Sequence, residues 1–444
     1  MNLFLERIAN YIPDEMNEFM ESLNRKMYQG LRINLKKINQ DDFESRFSLI
    51  DKPSLFCKEG YYVSRNLGNH PYHICGLYYL QEPSAMGVVE ALDVQPDDIV
   101  LDLCAAPGGK STQIASKLKD GFLISNEIDK KRCQILLSNM ERMGIMNMAI
   151  TNSSVDKIAA EFPNCFDKVV VDAPCSGEGM MKKHNLAKEE WSVENIEYCA
   201  ARQKEILNEA YKVLKKDGIL VYSTCTYAKE ENEDVIAWFL KEHEDLELMD
   251  INLSFGRSGL SMEEFDSTKV RRIFPMDKGE GHFIAKIRKT QGSSNSLPTI
   301  KNNKIDDISK KFLKDQLYEL YPYYNVIDGS LYCMNREFVK FKKVKCIRQG
   351  LYCGDLIKNR FEPSHAFYMT YDFKNLKHKV DVTFDQMNVF MHGNVIQCPC
   401  DRGYTAVCYD GFPFGFGKSD GNVIKNKIPK GLRLMEGSSL YGKE

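Results

Sequence analysis

Between Ile99 and Arg288, short apolar runs alternate with amphipathic stretches, the pattern of a parallel sheet with crossover helices. The runs IVLDL (99–103), FLISNE (122–127), MAIT (148–151), KVVVDA (168–173) and GILVYST (218–224) predict strands, and HFIAKIR (282–288) completes the sheet. The spacing predicts helices around 110–118, 129–143, 197–215 and 231–242. Ahead of this unit, residues 1–95 begin helically and carry GLRINLKKI (30–38), which reads as a small α/β domain. Behind residues 96–289, the polar, turn-rich stretch 290–308 reads as a linker. Residues 309–444 are rich in Tyr, Phe and Gly, and their strand signals, such as KKVKCIR (342–348) and KVDVTF (379–384), predict a mostly β region.

Composition narrows the class. A chain of 444 residues holds two to four domains. With 43% hydrophobic and 27% charged residues, it is neither disordered nor collagen-like. The formal charge of −2 hides an asymmetry: residues 301–444 hold 23 Lys and Arg against 16 acids, whereas residues 1–300 hold 37 against 46. A basic tail on an acidic body hints at a polyanionic partner for the tail. The 14 cysteines show no paired spacing for disulfides or zinc, so reduced thiols are expected. Glu6 and Arg7 interrupt any signal-peptide core, and no stretch approaches the ~18 apolar residues of a membrane span. The expectation is a cytoplasmic protein, monomeric and away from membranes.

Ligands of an open α/β sheet bind at the carboxyl ends of its strands. Here each end delivers something reactive or permissive: CAAPGGK (104–110), Glu127, TNSS (151–154), DAPCSGEG (172–179) and STCTY (223–227). Cys104-Ala105-Ala106-Pro107-Gly108-Gly109 is a turn of small residues that lets backbone approach a ligand, ahead of a helix N-terminus. Lys110-Ser-Thr resembles the end of a Walker A loop, but the glycine that motif requires is replaced by Cys104, so a P-loop is disfavoured. Glu127 lies 25 residues past Asp102, the distance at which an acid accepts ribose hydroxyls. Loop and acid together predict a nucleoside-containing cofactor.

Asp172-Ala173-Pro174-Cys175 and Ser223-Thr224-Cys225 put two thiols at neighbouring strand ends beside a carboxylate. Methylation of cytosine carbon 5 uses such a set. That carbon is too weak a nucleophile until a thiolate adds to carbon 6, after which it can take a methyl from S-adenosylmethionine, lose its proton and release the thiol. Asp172 is suited to hold the base, which must leave any helix to be reached. The residues alone leave open which thiol attacks.

LDLCAAPGGKSTQIA (101–115), VDAPCSGEGMM (171–181) and YSTCTYAKEENEDVI (222–236) resemble the signature segments of the NOL/NOP/Sun family of RNA cytosine-5 methyltransferases. The resemblance runs from about Leu31 to Arg288 and includes LQEPSAM (80–86). GLYCGDLIKNRFEPSHAF (350–367) and 411–433 are similar to the C-terminal part of the bacterial RsmF type, which modifies small-subunit ribosomal RNA. The resemblance implies a Rossmann-like class I methyltransferase sheet, followed by a PUA-like RNA-binding region. It implies Cys225 as the nucleophile and Cys175 for product release. It also implies S-adenosylmethionine contacts from the 104–110 loop, Glu127, Arg132 and Asp172, with Asp172 and Pro174 beside the base. Many relatives carry an acid in the third strand-end segment; here Asn152, Ser153 and Ser154 stand there, which leaves Asn152 and Ser153 to meet the adenine. The implied partner is ribosomal RNA or the assembled small subunit. Transfer RNA as substrate, or a non-catalytic ribosome-assembly factor, are the alternatives.

His70 and His73 read as structural or RNA-facing, and Cys398-Pro-Cys400 as packing. Gly411–Gly417, with three phenylalanines ahead of Lys418 and the basic segment Lys425–Arg433, suits stacking on unpaired bases with lysines on phosphates. A hydrophobic strand with a solvated basic edge is the competing reading.

Overall fold

A computed structural model of the chain describes residues 2–182, 191–302 and 304–441. Met1, residues 183–190, Asn303 of the expected linker and Gly442–Glu444 lie outside the described residues. Four strands near the N-terminus, β1 (Gln29–Ile33), β2 (Lys52–Pro53), β3 (Gly60–Val63) and β4 (Tyr78–Gln81), form an antiparallel sheet in the order β2-β3-β1-β4. The run at 30–38 is strand only as far as Ile33.

The central sheet contains β5 (Ile99–Asp102), β6 (Phe122–Asn126), β7 (Met148–Thr151), β8 (Phe166–Asp172), β9 (Leu214–Thr224), β10 (Leu246–Met249), β11 (Arg271–Ile273) and β12 (His282–Lys289). Its order is β10-β12-β9-β8-β5-β6-β7, with β11 on β12. Strands β5 to β9 are mutually parallel, and β12 runs antiparallel beside β9. The parallel strands are buried on both faces, which is why they read as unbroken Val, Ile and Leu runs. Helices Gly109–Lys117, Lys130–Arg142, Val193–Val213 and Glu233–Glu242 stand within four residues of their predicted ends. The longest buries Ile196, Cys199, Ala200, Gln203, Ile206 and Leu207 at helical spacing and is capped by Ser192, whose hydroxyl accepts the Asn195 amide. The short helix Val155–Glu161 and the strands β10 and β11 lacked a sequence signal long enough to be read.

The C-terminal third is mostly β. The stretch expected as a linker is not all linker, since β13 (Thr299–Ile300) pairs antiparallel with β16 (Phe338–Val339). One sheet holds β14 (Tyr323–Ile327), β15 (Ser330–Met334), β18 (Leu351–Ile357) and β19 (Arg360–Pro363). A second sheet holds β20 (Lys379–Asp381), β21 (Ile396–Gln397), β22 (Gly403–Tyr409), β23 (Phe412–Ser419) and β24 (Val423–Asn426). Two strand signals need correction. From 342–348 only Cys346 onward is strand: β17 (Cys346–Gln349) leaves its own region and pairs antiparallel with β7 at the edge of the central sheet. The signal at 379–384 ends as strand at Asp381 because Thr383 and Gln386 form a capping box that starts helix Phe384–Met391.

This third is not an appendage. The carboxylate of Glu161, at the end of a central-sheet helix, accepts the backbone amides of Lys342, Lys343 and Val344. Phe338, Val339 and Val344 enter the same core as Phe162 and Phe166. On the other side, Tyr72 donates to Asp410 at 2.5 Å and packs on Phe412, so the N-terminal sheet and the last sheet share one core. Among the described residues, no helix is long and apolar enough to cross a membrane.

Candidate active site

The parallel strands all end on one rim. At the end of β5, Asp102 is fully buried; one carboxylate oxygen accepts Ser111 Oγ at 2.7 Å and the other has no partner. Burial pushes its carboxyl up to about 7. The chain then turns through Gly108, at φ 113°, a conformation that side chains rarely adopt, into the N-terminus of helix Gly109–Lys117.

Just past β6, the carboxylate of Glu127 accepts the Asp129 amide at 2.9 Å and lies 3.6 Å from the Arg132 guanidinium. Arg132 also donates to the Ala106 carbonyl at 2.7 Å, tying the first loop to the second strand end. At the end of β8, Asp172 accepts Lys110 Nζ at 2.7 Å and Ser223 Oγ at 2.8 Å. Burial works to raise this carboxyl, but the charge of Lys110 and the hydrogen bonds from Lys110 and Ser223 outweigh it and hold Asp172 below the ordinary range.

Cys175, after β8, and Cys225, after β9, bring their sulfurs to 3.2 Å, and the Cys225 amide donates to Cys175 Sγ at 3.4 Å. The Cys175 thiol is pushed well above its ordinary value, first by its hydrogen bond with Cys225 and then by burial. Below the two thiols, buried Glu231 accepts the Ser176 amide at 3.0 Å and Gln203 Nε2 at 2.7 Å; Gln203 also donates to the Pro174 carbonyl. Burial pushes Glu231 up to about 7.

A cavity of about 720 Å³ opens along this rim, with Cys104, Glu127, Arg132, Asp172, Cys175 and Cys225 in its wall, and Pro174 beside them. The rest of the first loop stands behind the wall. The carbonyls of Ala106, Pro107 and Gly109 are taken by Arg132, Asn139 and Arg32, and Lys110 reaches the site through Asp172. The Ala105 amide is bonded to the Asn126 carbonyl, and Gly108 packs near Leu136.

Asn152 and Ser153 do not belong to the cavity. Asn152 Nδ2 donates to the carbonyls of Glu127 and Ile128, and Ser153 Oγ accepts the Lys345 amide at 2.9 Å, so both side chains serve backbone. Ser154, Val155 and Asp156 line the wall instead.

Residues 89–288 match the 16S rRNA methyltransferase RsmB/F family, and residues 2–83 the N-terminal domain of 16S rRNA methyltransferase RsmF. Residues 311–370 match the RsmF first C-terminal domain and residues 377–434 the RsmF PUA domain. The chain is 32% identical to ribosomal RNA small subunit methyltransferase F of Psychromonas ingrahamii, over 97% of its own length and 96% of that protein. It is 30% identical to the protein of the same name from Aeromonas salmonicida, over 99% and 98%. The chain belongs to the RsmB/F family. A methyltransferase homolog from Pyrococcus horikoshii of known crystal structure is 32% identical and superposes with a TM-score of 0.58, over 65% of this chain and 95% of that one.

In this RsmB/F chain, sequence reasoning missed Asp156, Arg202 and Glu205, all in the cavity wall. Arg202, Glu205 and Ile206 share one helical face, but helical spacing shows only that they point the same way and not that this face meets the rim. His70 accepts the Tyr72 amide as a helix cap and His73 bonds the Gly68 carbonyl, which makes both structural. The stacking reading of 411–417 is overturned: Phe412, Phe414 and Phe416 are buried core side chains of β23, while Lys418, Lys425, Lys427 and Lys430 are exposed. The basic edge survives and the stacking platform does not.

Proposed function

We propose that this chain methylates carbon 5 of a cytosine in 16S ribosomal RNA, through a cysteine adduct and with S-adenosylmethionine as donor. The observation that carries this reading is the pair of sulfurs 3.2 Å apart beside a half-buried carboxylate that Lys110 holds ionised. One thiol suits many reactions; two in contact suit a reaction that must both form and break a carbon–sulfur bond. The named relatives supply the RNA.

The residues fit the cofactor. The cavity lies within the roughly 300–1,000 Å³ of small-molecule sites. Glu127 would accept the ribose hydroxyls, exposed Ile128 beside it would face the adenine, and Asp102 keeps an unpartnered buried oxygen behind the loop. When bound, S-adenosylmethionine supplies an electrophilic methyl group.

The chain does the rest. Cys225 adds to carbon 6 of an unstacked cytosine, which makes carbon 5 nucleophilic. Cys175, held protonated against it, donates a hydrogen bond to the attacking sulfur. Asp172, kept ionised by Lys110, accepts from the exocyclic amine and orients the ring. After methylation, carbon 5 gives its proton to water in the cleft, the bonding pair restores the C5–C6 double bond, and the C6–S pair returns to Cys225, which receives the Cys175 hydrogen bond.

RNA carrying 5-fluorocytosine tests this directly. The wild-type protein with donor should become covalently linked to it, Cys225→Ala should form no adduct, and Cys175→Ala should accumulate adduct on unmodified RNA. Adduct persisting in Cys225→Ala would reverse the thiols; no adduct and no methyl transfer by the wild type would end the reading. Bisulfite sequencing of 16S rRNA from cells without the gene should reveal a lost mark, and an unchanged pattern would move the substrate elsewhere.

A further inference from the structure

Each cysteine is followed by a hydroxyl, and the two hydroxyls meet. Ser176 Oγ and Thr226 Oγ1 are 2.8 Å apart, and Thr226 Oγ1 donates to Glu178 Oε2 at 2.9 Å. A hydroxyl has one proton, so Thr226, donating to the carboxylate, must accept from Ser176. Glu178 also accepts the Tyr227 amide and Trp191 Nε1, and the Gly179 amide donates to the Cys225 carbonyl. Ser176, Thr226 and Glu178 are all buried. The result is a one-way chain of hydrogen bonds running from the residue after one thiol, through the residue after the other, to a carboxylate.

We infer that Ser176, Thr226 and Glu178 form a positioning latch that fixes the spacing of the two sulfurs and serves product release rather than attack. The inference rests on the function proposed above. Of the two thiols, the one that bonds to carbon 6 is Cys225, and the adduct forms without Cys175. Release requires Cys175 against the sulfur that departs: the carbon-5 proton passes to water in the cleft, its pair restores the double bond, and the C6–S pair leaves on Cys225, which receives the Cys175 hydrogen bond. A turn displaced by one ångström spares the first step and impairs the second. Removing the Thr226 hydroxyl strands the buried Ser176 proton without an acceptor and leaves Glu178 Oε2 with the Tyr227 amide as its remaining donor, and the two turns must shift to satisfy Ser176.

Thr226→Val should therefore form adduct with 5-fluorocytosine RNA as fast as wild type, lose about ten- to a hundredfold in turnover, and accumulate covalent complex on unmodified RNA. Ser176→Ala should do the same more mildly, and Thr226→Ser should restore release. Circular dichroism and melting identify any variant that fails to fold; should Thr226→Val fail, Ser176→Ala carries the test. Wild-type turnover without trapped complex in the folded variants overturns the latch, as does loss of adduct formation in step with turnover. Cys175→Ala run in parallel separates the failures: if it traps complex and the latch variants do not, the latch alone is wrong, whereas no adduct from wild type removes the underlying reading.

Discussion

Lys110, in the first turn of the helix that follows β5, and Asp172, 62 positions away at the end of β8, are joined by a 2.7 Å ion pair that keeps a half-buried carboxylate charged. Remove the ammonium and burial is left as the dominant influence on Asp172, which drives its proton affinity upward. Lys110→Met should therefore move the acid limb of the methyl-transfer pH profile to higher pH, with a smaller loss on the alkaline side. An acid limb that stays in place would show that Asp172 does not titrate in the reaction.

Asp102 titrates in the opposite sense. Its carboxyl stands at about 7 in the folded protein against about 3.9 unfolded, so the folded state holds the extra proton. Its contribution to stability is whole below the unfolded value and is lost as pH rises through the folded one. Asp102→Asn, uncharged throughout, should gain on the wild type in melting temperature between about pH 5 and about pH 8. A constant difference at both would refute this.

Arg272 and Glu233 form a buried bidentate pair at 2.6 and 2.5 Å, and Arg272 also donates to the Tyr227 carbonyl two residues past Cys225. Glu233→Ala leaves that guanidinium uncompensated and should cost about 3–5 kcal/mol in denaturant unfolding. Arg272→Met combined with Glu233→Leu should recover much of the loss. An unfolding midpoint unchanged in the single variant would contradict the pairing.

Gly76 has φ 71°, and a Cβ there would sit 2.0 Å from the Arg142 carbonyl oxygen. This is where the N-terminal sheet meets a central-sheet helix. Gly76→Ala should cost about 1–3 kcal/mol from backbone conformation alone, more with the clash, and be seen as a lower melting temperature. Retained stability would mean the two units are not tightly seated there.

On β23 and β24, Lys418 and Lys425 are register partners, with exposed Lys427 close behind. Changing all three to Gln should weaken RNA binding at every sequence and reduce the slope of log affinity against log salt by roughly 2–3. A slope equal to wild type would remove this edge from the RNA contact.

The central sheet was readable because strands buried on both faces must be written almost wholly in apolar residues, and its rim because Cys104, Asp172, Cys175 and Cys225 interrupt those runs at their carboxyl ends. Local patterns could not show partners. Glu231 and Glu233 are buried while Glu230 and Asp234 beside them are more accessible, and five consecutive acids and amides look alike on paper. Asn152 and Ser153 were misjudged because their bonding partners, above all Lys345, lie far along the chain. The phenylalanines of β23 were misjudged because glycine-interleaved aromatics suit an open stacking surface and a closed sheet equally well.

The pairing of β17 with β7 bears on how the protein is made. Until position 349 has left the ribosome, the nascent catalytic half carries a bare strand edge, open to the wrong neighbour. The sheet that carries the reaction chamber can gain its last edge only after position 349 has been translated, and a message cut short before that point yields a sheet without its selvedge.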